Sequence, residues 1–495
     1  MMRSLYSGVA GLKTHQTRMD VIGNNIANVN TVGFKASSVN FSDVLYQTTQ
    51  SASGANSATG VTGTNAKQIG LGTKVASITT SVDNTGGSQS TDRTLDCMIE
   101  GDAFFIVNYG GSNYFTKAGS FFVDGSGTLC TAAGASVMGW GVDTTGTDIV
   151  RDVVKPLTVM SAENMSSAPE ATKNTYITGN VDATDKQLSS DNGVAMQVQF
   201  YDSLGNSYSL KLALKQAVDG NGQAIDGQYT VEPADILDED GKSIFYTVKD
   251  DGTKELVTDS ATTPLSFTLG GTTYTAKLTN GELKLTATGN GNTLTFNTSS
   301  GSFKSVGEGN TAGDSLTFTL GNNYTTAQGS PFTDVDIDFS TLTQYAGNGK
   351  CNMESQRGTK DASGTGAGRT MGEMIGLSID NQGKIYGSYD NGTSKLLGQI
   401  AVTTFANATG LESVGNSMFA TTQNSGDFDG IGKDITEAGG KINTSVLEMS
   451  NVDLSSEFTN MITTQRGFQA NSRIITTSDT MLEELITVSY THLRA

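Results

Sequence analysis

LEMSNVDLSSEFTNMITTQRGFQANSRIITTSDTMLEEL, residues 447–485, sets Leu447, Leu454, Met461, Phe468, Ile475 and Leu482 seven positions apart throughout. A seven-residue apolar repeat held this long specifies a helix lying along a partner helix with left-handed supercoiling. Phe458 and Leu485 flank the stripe, Asn443 or Thr444 is the expected cap, and Glu448 falls in the expected first turn, where a negative charge suits the helix dipole. The N-terminus repeats the period with Leu5, Leu12, Met19 and Ile26, widened by Val9 and Ile22. This predicts an amphipathic helix of roughly 25 residues, about 38 Å long. It is expected to end in the Asn- and Gly-rich run Gly23–Gly33, which favours turns.

The two stripes are each other's first expected partners, with Leu5, Leu12, Met19 and Ile26 meeting Leu447, Leu454, Met461, Phe468, Ile475 and Leu482. Met2, Val21 and Ala27 add apolar surface outside the N-terminal stripe. Both outer faces of such a pair need cover, which points to self-assembly and makes these ten stripe positions the candidate assembly residues.

Between the helices the signals are for strands. Short alternating runs occupy Lys74–Thr80, Ala103–Val107, Tyr114–Thr116 and Ser120–Val123, and Asp124-Gly125 marks a hairpin connection. The pattern returns at Gly376–Ile385 and Leu397–Val402. All five prolines (Pro156, Pro169, Pro233, Pro264 and Pro331) fall between 156 and 331, which sets that region apart as an inserted module. Its strands include Ala195–Tyr201, Tyr208–Leu214, Thr273–Leu278 and Ser315–Leu320, with turns at 290–292 and 321–323. The fold class is α+β, mainly β: terminal helices forming a coiled coil, a split inner β domain, and an inserted outer β region of one or two domains. The expected divisions are 1–34 for the first helix and its Asn/Gly turn, 35–72 for a linker, and 73–152 for the first half of the inner domain. Then follow 153–338 for the insert, 339–441 for the returning half, 442–486 for the second helix, and 487–495 for a tail that drops the repeat.

Composition narrows the function. The chain has 495 residues, 60 of them Gly, and 31 Lys plus Arg against 50 Asp plus Glu give a net charge of −19. Phosphate binding needs a basic footprint, so nucleic acid is not an expected partner. No apolar run is long enough to span a bilayer, and the N-terminus has no secretory signal, so neither an integral membrane protein nor conventional secretion is expected. Two histidines, His15 and His492, and three scattered cysteines, Cys97, Cys130 and Cys351, offer no catalytic, metal or disulfide framework. No enzyme activity, cofactor or metal is expected. Asp334, Asp336 and Asp338 read as an exposed strand face, and Asp238–Gly241 reads as a turn without the closing Glu of a calcium loop.

Ser4–Leu12, Gly23–Asn28 and Asn30–Lys35 at one end, with Leu447–Leu454, Gln465-Arg466, Gln469–Ser472 and Met481–Leu485 at the other, resemble the bacterial flagellar axial proteins of rod and hook. Gly101–Phe105, Tyr114–Phe121, Leu397–Ala401 and Phe405–Leu411 are similar to the inner β domain of that family. The resemblance implies a structural subunit of the flagellar hook at the cell exterior, polymerising into a flexible tube that joins rod to filament and transmits motor torque. It also implies partners: further copies of itself, rod and hook–filament junction proteins, a hook cap during assembly, and the flagellar type III export apparatus. The alternatives are a distal rod subunit of the same family and a secreted β-rich adhesin on an axial-protein scaffold.

Overall fold

The computed structural model describes residues 2–54, 60, 62–143, 146, 148–250, 252–257, 264–289, 292–307, 313–320, 332–361 and 363–492, with side chains up to 487. The expected turns at 290–291 and 321–323, Pro331, and the end of the tail at 493–495 lie outside the described residues. Two compact units emerge. One comprises Met1–Met165, Ile375–Ser388 and Ser394–Ala495, and the other Ser166–Met374 and Tyr389–Thr393.

The first unit carries both long helices, α1 (Met2–Ala27) and α2 (Leu454–His492). Four strands follow α1: β1 (Ser37–Asp43), β2 (Tyr46–Gln50), β3 (Lys67–Gly70) and β4 (Thr73–Thr80). β1 pairs antiparallel with β4, from Ser37 opposite Thr80 to Asp43 opposite Thr73, and β2 pairs with β3. The expected linker at 35–72 therefore contains three paired strands. Tyr46–Gln50 and Lys67–Gly70 are exposed throughout and pair through backbone hydrogen bonds with no alternating pattern in the sequence to announce them; 55–59 and 61 between them lie outside the described residues.

The inner sheet interleaves two distant parts of the chain. Phe104–Tyr109 pairs with Ser112–Thr116 through Gly110 and Gly111, whose φ of 61° and 87° are those of a type I′ hairpin turn. Phe104–Tyr109 also pairs with Ser136–Gly141 and Val402–Thr403, and Ser112–Thr116 with Met418–Ala420. The core holds Phe104, Ile106, Phe115, Met138, Trp140, Ala401 and Phe419, with Phe115 edge-on to Phe405 at 4.7 Å. Trp140 buries its indole and donates its N–H to the carbonyls of Asp152 and Ile431 at 2.9 and 3.1 Å, which satisfies the polar atom that burial would otherwise penalise.

In the second unit a five-stranded sheet and an eight-stranded sheet share a single core that includes Phe200, Leu210, Tyr229, Phe245, Phe267, Phe318 and Phe339. Val194–Tyr201 alternates buried and exposed residues, as the sequence pattern requires of a strand with one covered face. The sheets move the expected boundaries. Pro156 pairs with Met138 in the first unit, so the proline cluster does not coincide with the insert. Leu342–Thr343 and Asn352–Arg357 pair with Asn174–Asn180, so the segment after 338 completes the insert's sheet before the chain returns.

Asp182 locks that return. Its buried carboxylate accepts hydrogen bonds from the Thr184 amide and hydroxyl and from the Gly347 and Gly349 amides, at 2.7–2.9 Å. These donors favour the ionised form and hold its pKa down to about 2, so the stabilisation is present above the ordinary Asp value and is lost as pH falls through about 2. Asp182→Ala is expected to accelerate hydrogen exchange at the Gly347 and Gly349 amides at neutral pH, while exchange in Val194–Tyr201 stays unchanged.

Candidate assembly site

The helices form an antiparallel pair, and small and polar side chains line their seam. Along α1 the buried positions are Gly8, Gly11, Thr14, Ile22 and Asn25. A Cβ on Gly8 would meet Ile475 at 3.4 Å, and one on Gly11 would come 2.5 Å from Asn471 Nδ2. A Cβ on Gly467 would come 2.8 Å from the His15 ring. Arg18 donates to Asn460 Oδ1 at 3.3 Å, and Asn25 donates to Glu457 Oε1 at 3.1 Å. Glycine brings the backbones close, and the amides and charged groups pair along the line of contact. Thr464 and Ser478, buried on α2, return their hydroxyls to the carbonyls of Asn460 and Ile474 in their own helix.

The apolar stripes border this seam. Leu5, Leu12, Met19, Ile26, Met461, Ile475 and Leu482 are half-buried, while Leu454 and Phe468 remain 39% and 37% exposed. Of the ten, Ile475 lies against Gly8 of the partner helix. Leu447 requires a correction. It is buried in the strand Val446–Glu448, opposite Gln89, and α2 begins only at Leu454. Asp453 is the cap: its Oδ1 accepts from the Ser455 and Ser456 amides at 2.9 and 3.3 Å. Asn443 and Thr444, expected to cap the helix, sit in a strand paired with Cys97–Glu100. The run Gly23–Ala27, expected to break α1, stays helical because Asn25 exchanges two hydrogen bonds with the Ser37 backbone and reaches Glu457. At the other end, α2 continues through the expected tail to His492.

Sequence reasoning missed the seam because it searched for apolar residues. Gly8, His15 and Ile22 with Gly11, Arg18 and Asn25 also repeat every seven positions, and two glycines three apart were the available signal for close helix approach.

Where the helices meet the β domain, Lys35 and Glu448 form a buried ion pair at 2.7 Å, with side chains 1% and 0% exposed. Glu448 was expected to serve a helix dipole, but here it anchors the first strand segment after α1. Lys35 also donates to the Asn84 carbonyl at 2.7 Å, and the Gly86 amide donates to Glu448 Oε1 at 2.9 Å. The Gly33 amide donates to the Glu448 carbonyl, and Asn451 bonds the Ala36 amide and the Ser81 carbonyl. Gly33 has φ of 68° and a Cβ there would lie 2.8 Å from the Ala118 amide nitrogen, so only glycine fits.

Lys117 is buried in the same region, donates to the Gly101 carbonyl at 2.7 Å and sits 4.9 Å from the Phe104 ring centroid. Burial lowers its pKa to about 8, opposed by the attraction of Glu448. Among the described residues no group of His, Cys, Asp and Glu could hold a metal ion, and no helix is long and apolar enough to cross a membrane. Burial pushes the Cys97 and Cys351 thiols up to about 12 and about 11, which leaves them poor nucleophiles.

Three family models match in chain order. They are a flagella basal body rod protein model at 5–35, the D1 domain of flagellar hook protein FlgE/F/G at 98–173, and the C-terminal model of flagellar basal body rod FlgEFG protein at 444–488. Flagellar hook protein FlgE of Treponema pallidum is 33% identical over 99% of this chain and 100% of its own length. FlgE of Borreliella burgdorferi is 36% identical over 98% of this chain and 99% of its own. Flagellar basal-body rod protein FlgG of Bacillus subtilis is 51% identical, over 28% of this chain and 51% of its own.

Three outcomes follow from the geometry. Lys35→Met alone is expected to cost about 3–5 kcal/mol in denaturant unfolding, because it strands a buried carboxylate, and Lys35→Met with Glu448→Leu costs less than the two single changes together. Gly11→Leu is expected to cost about 1–3 kcal/mol by forcing the helices apart, read as lost thermal stability of the helical circular dichroism signal. Because Lys117 favours its neutral form when folded, stability should rise with pH from about 8 towards 10.5, by about 3 kcal/mol from this group. Unfolding measured across that range should show a shallower rise in Lys117→Met.

Proposed function

The chain belongs to the flagellar hook protein FlgE family, and on that premise we propose that its terminal helices drive polymerisation into the flexible tube joining rod to filament. As a member it is a structural subunit of the bacterial flagellar hook. The observation that carries the assembly reading is the apolar surface left on the helix pair. Met2, Tyr6 and Val9 of α1, and Phe458, Ile462, Phe468, Ile474, Met481, Leu485 and Ile486 of α2, are between 37% and 64% exposed. Removing such surface from water favours association by roughly 25 cal/mol per Å². Further copies of the chain are the occupants that repeat the same cover indefinitely. A contact between unlike faces that does not close on itself generates an open helical polymer.

Within that polymer Leu454 and Phe468, the most exposed stripe positions, contact neighbouring subunits. Leu5, Leu12, Met19, Ile26, Met461, Ile475 and Leu482 support the same faces from the flank of the seam. The tube transmits torque, and its Gly-, Ser- and Asn-rich β surfaces let subunit contacts slide as it bends. Rod and hook–filament junction proteins, a hook cap and the type III export apparatus complete the proposed partners. A rod subunit is the nearer alternative, but the rod relative matches little more than a quarter of the chain, whereas the hook relatives match nearly all of it.

Electron microscopy of the purified full chain is expected to show short curved tubes. Leu454→Asp combined with Phe468→Asp should abolish them while leaving hydrogen exchange in the β units unchanged. Tubes that persist in the double variant would refute helix-driven assembly.

A further inference from the structure

A cleft of about 420 Å³ opens on the second unit, a volume in the range of small-ligand sites. Three stretches of chain converge on it: Ser189 at the end of a short helical turn, Gln216 and Asp226–Tyr229 on a paired strand ribbon, and Thr298 to Gly301 beside Gln344. Neighbouring polar side chains cap their own turns. Asp219 Oδ1 accepts from the Asn221 and Gln223 amides at 2.9 and 2.8 Å, and Asn297 Oδ1 accepts from the Ser299 amide and hydroxyl at 3.1 and 2.7 Å.

The groups in the cleft do not. Asp226, Ser189 and Thr298 are exposed, and among the described residues their side chains have no hydrogen-bond partner. Gln216 donates its Nε2 to the Ile225 carbonyl at 2.8 Å, which leaves Oε1 free to accept. Gln344 Nε2 donates to the Tyr229 hydroxyl at 2.9 Å, and its Oε1 is buried with no partner. Burial pushes the Tyr229 pKa up to about 12, so that group stays a neutral hydroxyl. The rim adds a flat apolar face. The Tyr345 ring lies against Gly301, where φ is 66° and a Cβ would come 2.9 Å from the ring, and Tyr345 is 55% exposed.

We propose that this cleft binds a neutral saccharide, with Asp226, Gln216, Ser189 and Thr298 taking the sugar hydroxyls and Tyr345 covering one face of the sugar ring.

The chemistry of the wall selects that class. Sugar hydroxyls both donate and accept, and carboxylate, amide and hydroxyl groups together meet both needs. An exposed aromatic ring suits the apolar C–H face that a sugar also carries. Among the described residues no lysine or arginine lines the cleft, while Asp226 brings a negative charge, so phosphorylated, sulfated or sialylated ligands are disfavoured. The cleft lies wholly within the second unit, so binding there is independent of how the helices assemble.

The purified full chain can be applied to an array of neutral hexose and N-acetylhexosamine oligosaccharides printed beside sialylated and sulfated ones, with the affinity of each captured glycan then measured in solution by calorimetry. Neutral glycans should be captured. Asp226→Ala should weaken the best of them about tenfold, the loss expected of one hydrogen bond to a charged group. Ser189→Trp, which fills the cleft from an exposed position, should abolish binding. Both positions are exposed, and an unchanged far-ultraviolet circular dichroism spectrum confirms that each variant folds. Capture of anionic glycans alone, capture of none, or neutral binding that either variant retains in full would overturn the proposal.

Discussion

A buried lysine and a buried glutamate, 413 residues apart in sequence and 2.7 Å apart in space, are the constraint on which the helical end of the molecule depends. Neither charge is tolerable alone away from water, so the chain entering the β domain after α1 and the chain leaving it before α2 must arrive together. Glu448 reinforces this with its backbone carbonyl, which takes the Gly33 amide, and with Oε1, which takes the Gly86 amide. Asn451 then ties Ala36 and Ser81 to the same point. With their roots fixed side by side, two helices that leave in the same direction are antiparallel neighbours by chain polarity alone.

That geometry explains a division of labour along the helices. Glycine at 8, 11 and 467 lets the backbones approach closely, Asn471 packs against Gly11, and the Arg18–Asn460 and Asn25–Glu457 hydrogen bonds add directional contacts along the seam. Such a seam buries little apolar area, so most large apolar side chains border it or face outward. In an isolated chain this is costly. In a polymer subunit it leaves the strongest non-directional interaction available for contacts between copies, while the polar seam sets the register within each copy. The β units supply the complementary property, since their cores are mainly aromatic and aliphatic while the chain around them is rich in glycine.

Much of the plan was legible beforehand. Alternating runs marked strands such as Val194–Tyr201 and Thr272–Thr279 to within a residue or two, because strands with one buried face must alternate. The helices were legible from their period, although Leu447 continued the α2 count by coincidence. Its neighbours pair with Ser88–Ser90, and a local count cannot show that a distant strand is available. The insert's boundaries were misplaced for the same reason. Proline density is a local property, whereas membership of a sheet is decided by partners such as Asn174–Asn180, which hold Asn352–Arg357 across a long separation.

The sequence by itself determined that two long helices occur at the ends, that strands fill the middle, and that the chain resembles flagellar axial proteins. These follow from periodicity and motif, which are properties of residues near one another in the chain. Only the tertiary structure decided which face of each helix meets the other, that Glu448 belongs to a strand and pairs with Lys35, and that His15 rests against Gly467. Each is a contact between residues hundreds of positions apart, where desolvation and close packing, rather than local preference, select the arrangement.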